Sequence, residues 1–194
     1  MAISERLKVL LGEAKVKYTT AKHPVAYTAQ EIAAAQHVPG RQLAKSVLIK
    51  TDQGPVLAVL SASYLIDLKK LKALLRAKSL TIGKEADIKE RFPDIEVGAM
   101  SPFGNLYGVL VVVDKALGMS EHIVFNGGSH TETIKLRYKD FAALAKPKPG
   151  AFSLTPPKPK KAAAKKKSRA GRPSAKRASS SARSRKPAKR SKRR

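Results

Sequence analysis

The sequence predicts an α+β body: a mixed, largely antiparallel sheet with several surrounding helices, followed by a disordered basic tail. Three observations lead there. Short β-rich runs alternate with amphipathic helical segments over the first 145 residues. Tyr107 to Asp114 is a near-continuous apolar run, the pattern of a central strand buried on both faces. Charge is also divided sharply: all 14 acidic residues lie at or before Asp140, whereas Lys146 to Arg194 holds 20 Lys and Arg and no acid. Of the formal charge of +26, the body therefore carries only +6.

The elements follow in order. Leu7, Val9, Leu10, Leu11 and Ala14 recur near helical spacing, with Ser4 in the N-cap position and Gly12 weakening the end. Tyr18 to Lys22 reads as a short strand closed by His23-Pro24. Thr28 with Glu31 three residues on is a capping box, opening a helix through Ala35 that Val38-Pro39-Gly40 stops. Leu43 to Lys50 and Val56 to Ser61 are strands joined as a hairpin by Asp52-Gln53-Gly54-Pro55. Asp67 caps a helix through Arg76 whose apolar face is Leu68, Leu71, Leu74 and Leu75. Leu80 to Ile82 is a strand, and Lys84 to Arg91 a helix ended by Pro93. After the run at 107–114 come strands at His122 to Phe125 and Thr133 to Arg137. A last helical segment covers Tyr138 to Ala145, and Lys-Pro-Lys-Pro-Gly at 146–150 marks the boundary of the body. The domains are thus 1–145 and 146–194.

The tail is Ala, Lys, Arg, Ser and Pro, too poor in apolar residues to offset the entropy of ordering. As flexible coil its ends would lie on the order of 40 Å apart. Such a polycation binds phosphate backbones without reading sequence and with strong salt dependence. A solvated tail with no dedicated partner is the plainer alternative. The chain has no cysteine, which removes disulfides and thiolate metal sites. The histidines show no ligand spacing, so no metal is expected. Neither GxSxG, GxxxxGK[ST] nor GxGxxG occurs, so neither a serine nucleophile elbow nor a nucleotide or dinucleotide cofactor is expected. No signal-peptide pattern and no apolar run of spanning length are present, and the expected location is the cytoplasm, away from membranes.

Three stretches stand out. Lys45 shares strand parity with Leu43, Val47 and Ile49, so it either snorkels out or sits in a pocket with partners. Residues 95–105 hold Gly98, Ala99, Met100, Ser101, Pro102 and Gly104. That is either an ordinary connector or a loop whose backbone groups face a ligand. Gly127-Gly128-Ser129-His130 follows a strand, with His130 at the mouth of a tight turn or simply on the surface.

In this order the three stretches resemble the YbaK-type aminoacyl-tRNA deacylase family, which includes the editing domain of bacterial prolyl-tRNA synthetases. The resemblance covers about residues 3–145 and excludes the tail. It implies a YbaK-like fold and a hydrolase that removes a wrong amino acid from tRNA in trans. The expected substrate is tRNA for proline carrying alanine or another small residue, since His130 stands where the cysteine-specific branch has another residue type. It further implies Lys45 as the key catalytic residue, and a substrate-binding surface from Gly98–Pro102 and Gly127–His130. tRNA is the expected partner, its acceptor end in the pocket and its backbone on the tail. DNA or ribosomal RNA on the tail and transient association with a synthetase are further partners to consider. The alternatives are a nucleic-acid-binding protein that uses the domain as a scaffold with little catalysis, a Cys-tRNA(Pro) deacylase, and a synthetase-associated adaptor without hydrolysis.

Overall fold

The computed structural model describes residues 3–155. The disordered-tail expectation for 156–194 lies outside the described residues. Strands and helices alternate as expected: α1 (Glu5–Glu13), β1 (Tyr18–Lys22), α2 (Ala29–Ala35), β2 (Ala44–Thr51), β3 (Gly54–Ser61), β4 (Leu65–Ile66), α3 (Leu68–Leu75), β5 (Leu80–Ile82), α4 (Glu85–Arg91), β6 (Leu110–Asp114), β7 (His122–Asn126), β8 (Glu132–Arg137), α5 (Tyr138–Ala145), β9 (Lys148–Gly150) and β10 (Ser153–Leu154). The fold is α+β, as expected.

The strands divide among three sheets. One has five strands in the order β5-β2-β3-β6-β9, one has three in the order β1-β8-β7, and β4 pairs with β10. Pairing is antiparallel except where β6 runs parallel to β3 and to β9. The predicted hairpin is β2–β3, registered from Ala44 opposite Ser61 to Thr51 opposite Gly54. A parallel bridge between Leu43, just before β2, and Val124 of the edge strand β7 links the two larger sheets.

The five-stranded sheet is buried on both faces, which is why its central strands read as unbroken apolar runs. On β3, Leu57 and Val59 enter one cluster with Leu7, Leu11, Phe103, Phe125 and Phe141. Val56, Ala58 and Leu60 enter a second with Ile49, Leu71, Val112 and Phe152. The capping box at Thr28 and the Asp67 cap, which accepts from the backbone N–H of Lys69 and Lys70, form as read. Ser4 precedes α1, but its hydroxyl does not cap the helix; it donates to Asp94 at 2.7 Å instead. The strand expected from Tyr107 starts at Leu110, because Gly104–Tyr107 is a 3-10 turn that Gly108 ends at φ +67°.

The boundary expected after Ala145 is corrected. Lys148–Gly150 forms β9 against β6, and Phe152 is fully buried. A Cβ on Gly150 would collide with Leu74 of α3, so this glycine serves close packing rather than a linker. The buried Asp114 carboxylate fixes the turn that follows, accepting from Phe152 N (2.8 Å), Ser153 N (2.9 Å) and Ser153 Oγ (3.0 Å). Among the described residues, no helix is long and apolar enough to cross a membrane.

Phe152→Ala should therefore lower unfolding free energy by about 3–5 kcal/mol, read from urea denaturation. A body that ended at residue 145 would lose no more than about 0.5 kcal/mol.

Candidate functional site

Lys45 lies near the start of β2, directly opposite Leu60 of β3. Beyond it on the same side of the strand, Val47 and Ile49 pack into the second apolar cluster. The side chain is half-buried, and Nζ donates to the carbonyl of Tyr64 at 2.6 Å. An ammonium has three N–H donors, so this bond leaves two. Among the described residues no carboxylate pairs with it. Burial pushes its pKa below the ordinary lysine value.

Lys45 lines a narrow cleft of about 50 Å3 with Tyr27, Ile32, Ala44, Ser46, Gly98, Met100 and Asn126. Two polar atoms in this lining, Ser46 Oγ and Asn126 Oδ1, are buried without a hydrogen-bond partner among the described residues. A buried polar atom left unbonded costs free energy, so such atoms gather where a ligand or solvent completes them. The residues lining the cleft thus include a cation with spare donors and two side chains whose buried oxygens have no partner.

Gly98 reaches the cleft from the 95–103 loop. Its φ is +90°, a conformation that disfavours any side chain, and a Cβ there would lie 3.3 Å from His130 Cε1. The loop is held by the Gly127–His130 turn, in which Gly128 takes φ +119°. Gly128 O accepts from Glu96 N at 3.0 Å, and the Glu96 carboxylate accepts from His130 N at 2.9 Å. The buried His130 ring packs on Tyr27 with centroids 4.9 Å apart. Its Nε2 lies 2.8 Å from Val97 O and its Nδ1 3.3 Å from Ala26 O. A neutral imidazole has one N–H, and the shorter contact assigns it to Nε2, donating to Val97.

Of the residues singled out from sequence, the structure brings Lys45, Gly98 and Met100 to the cleft. Ala99, Ser101 and Pro102 are buried behind it, and Phe103 anchors their end against Phe125 and Phe141. Gly127, Gly128, Ser129 and His130 stand one layer back, supporting the loop rather than lining the opening. Ser46 and Asn126 were not among the expected site residues. The signal for Ser46 is its adjacency to Lys45; Asn126 reads as turn punctuation before two glycines.

The pattern of the aminoacyl-tRNA editing domain matches residues 23–144. The chain belongs to that family. Solved structures share the fold. One is a proposed trans-editing enzyme for prolyl tRNA synthetase, 20% identical, with a TM-score of 0.68 over 77% of this chain and 95% of that one. Another is the hypothetical protein APE2540, 14% identical, with a TM-score of 0.71 over 77% of this chain and 100% of that one. A third is from work on computational grafting of epitope backbones onto scaffold proteins, 19% identical, with a TM-score of 0.69 over 78% and 97%. No curated protein sequence matches the chain significantly.

Two outcomes follow. Gly98→Ala should destabilise the fold by about 1–3 kcal/mol in chemical denaturation, from the forced φ and the His130 contact together. For Lys45, the folded pKa lies below the unfolded one. As pH rises through the folded value towards 10.5, the folded state releases its proton first and gains stability. The melting temperature of the wild type relative to Lys45→Met should therefore rise between pH 7 and pH 10; a constant difference would mean that the ammonium is not desolvated.

Proposed function

We propose that this chain is a trans-acting aminoacyl-tRNA deacylase, with tRNA for proline carrying alanine or another small amino acid as substrate. The carrying observation is the half-buried Lys45 ammonium, unpaired with any carboxylate among the described residues, in a cleft lining that includes two side chains whose buried oxygens have no partner. Membership of the editing-domain family supports the reaction class.

Ester hydrolysis needs a carbonyl polarised as its oxygen gains charge, and a water held in line, which the neighbouring ribose hydroxyl can help to orient. Attack of the water forms a tetrahedral oxyanion; its collapse expels the esterified ribose oxygen, which takes up the proton the water gives up, leaving free amino acid and tRNA. The Ala99 N–H is already bonded to Glu96 O at 2.9 Å, so this reading assigns the oxyanion to the Lys45 ammonium rather than to that amide. A narrow cleft favours a small side chain over a bulkier one. Each excess methylene is worth about 1–3 kcal/mol of exclusion.

A second reading, a nucleic-acid-binding protein with little catalysis, is favoured by the +20 charge of residues 146–194. Lys45→Ala separates the two. An editing enzyme should lose deacylation by about 100-fold or more while its circular dichroism and tRNA affinity persist. Undiminished hydrolysis by the folded variant would remove Lys45 from the mechanism.

A further inference from the structure

Away from the Lys45 cleft, an open groove of about 380 Å3 lies on the outer face of the three-stranded sheet. Lys17, His122, Lys135 and Arg137 line it. The pairing explains why they converge. Arg137 is directly opposite His122, and Lys135 lies two residues from Arg137 on the same face. Alternate residues Ile134 and Leu136 point the other way into the core. Lys17 enters the groove from the residue before β1, at the sheet edge.

This clustering opposes stability, because like charges on neighbouring strand positions repel. Acids relieve little of it. Asp140 pairs with Arg137 at 2.9 Å, and Glu121 lies 3.9 Å from His122. Lys17 and Lys135 are exposed and have no ion pair among the described residues. A groove that spreads two unpaired lysines and a held guanidinium along its length suits a repeating phosphodiester backbone better than a single small anion, which one or two of these groups would saturate.

The groove also bears a fixed relation to the Lys45 cleft. His122 and Asn126 have the same strand parity on β7, one in the groove and the other in the cleft. Four strand residues separate them by about 14 Å. Val124 lies between and packs with Ile32 of α2, so a nucleic acid strand joining the two sites would cross over that helix.

We infer that this groove is a second tRNA-binding site, holding the phosphate backbone of the acceptor arm while its aminoacyl end occupies the Lys45 cleft. The choice of tRNA rests on the editing reading; the groove's affinity for phosphate does not.

The test uses the full chain and uncharged tRNA, so it does not depend on catalysis. Lys17→Ala/Lys135→Ala should weaken binding roughly tenfold or more at physiological salt. The slope of log affinity against log salt should become shallower by about 1.4–1.8, the release expected from two phosphate contacts. The control is Lys69→Ala/Lys89→Ala, two exposed lysines on α3 and α4 with the same charge change. The control should lose markedly less, and Lys17→Arg/Lys135→Arg should retain wild-type affinity. Equal losses in groove and control variants, or no loss in the groove variant, would overturn the inference. Equal affinity for a duplex DNA of matched length, with the same loss, would overturn the tRNA assignment. Groove-dependent tRNA binding without ester hydrolysis would refute the editing reading and leave the groove standing.

Discussion

The cleft depends on one seam, where the backbone of 96–98 is fastened to the turn at 128–130. Glu96 N bonds Gly128 O, His130 N bonds the Glu96 carboxylate, and His130 Nε2 lies 2.8 Å from Val97 O. These contacts fix Gly98 at positive φ and bring it against the imidazole, where only hydrogen fits easily in place of a side chain. Without the seam, a segment rich in small residues would have many conformations. With it, the wall opposite Lys45 is set before any ligand arrives, the preorganisation that electrostatic catalysis requires.

Stability and chemistry pull against each other at β2. The strand buries Ala44 and Leu48 on one face and Ile49 on the other, yet Lys45 places an ammonium near its start with a single carbonyl partner. Burial disfavours that charge. The unbonded Ser46 and Asn126 oxygens add to that cost. Asp114, by contrast, is buried with its carboxylate satisfied, accepting from the main chain at Ala116, Phe152 and Ser153. Two of the three unbonded buried atoms among the described residues belong to residues of the cleft lining, the third being His23 Nε2.

Much of the fold was legible because local signals agreed. β1, α2, β5 and α5 lie within the segments read from periodicity and caps. The C-terminal edge was not legible, for a physical reason. Lys-Pro-Lys-Pro-Gly has the composition of a linker, but an edge strand tolerates proline, and β6 supplies the pairing. What makes β9 part of the body is Phe152 in a distant core and Asp114 across 38 residues, neither visible locally. The site divided in the same way. Lys45 announced itself as a charge out of pattern. The placement of His130 was hidden because its ring partners are 33 and 104 residues away. The sequence also could not reveal that Asn126, ending a strand, would line the cleft while its Oδ1 is buried and unbonded.

The central claim is that the Lys45 cleft hydrolyses the ester of a small, wrongly attached amino acid. Its most direct measurement follows release of each amino acid from tRNA for proline charged in turn with alanine, cysteine, serine and proline, under one set of conditions. The account predicts fast release of alanine and protection of proline. Hydrolysis of none of the four, or of the prolyl ester as fast as the alanyl ester, would contradict it.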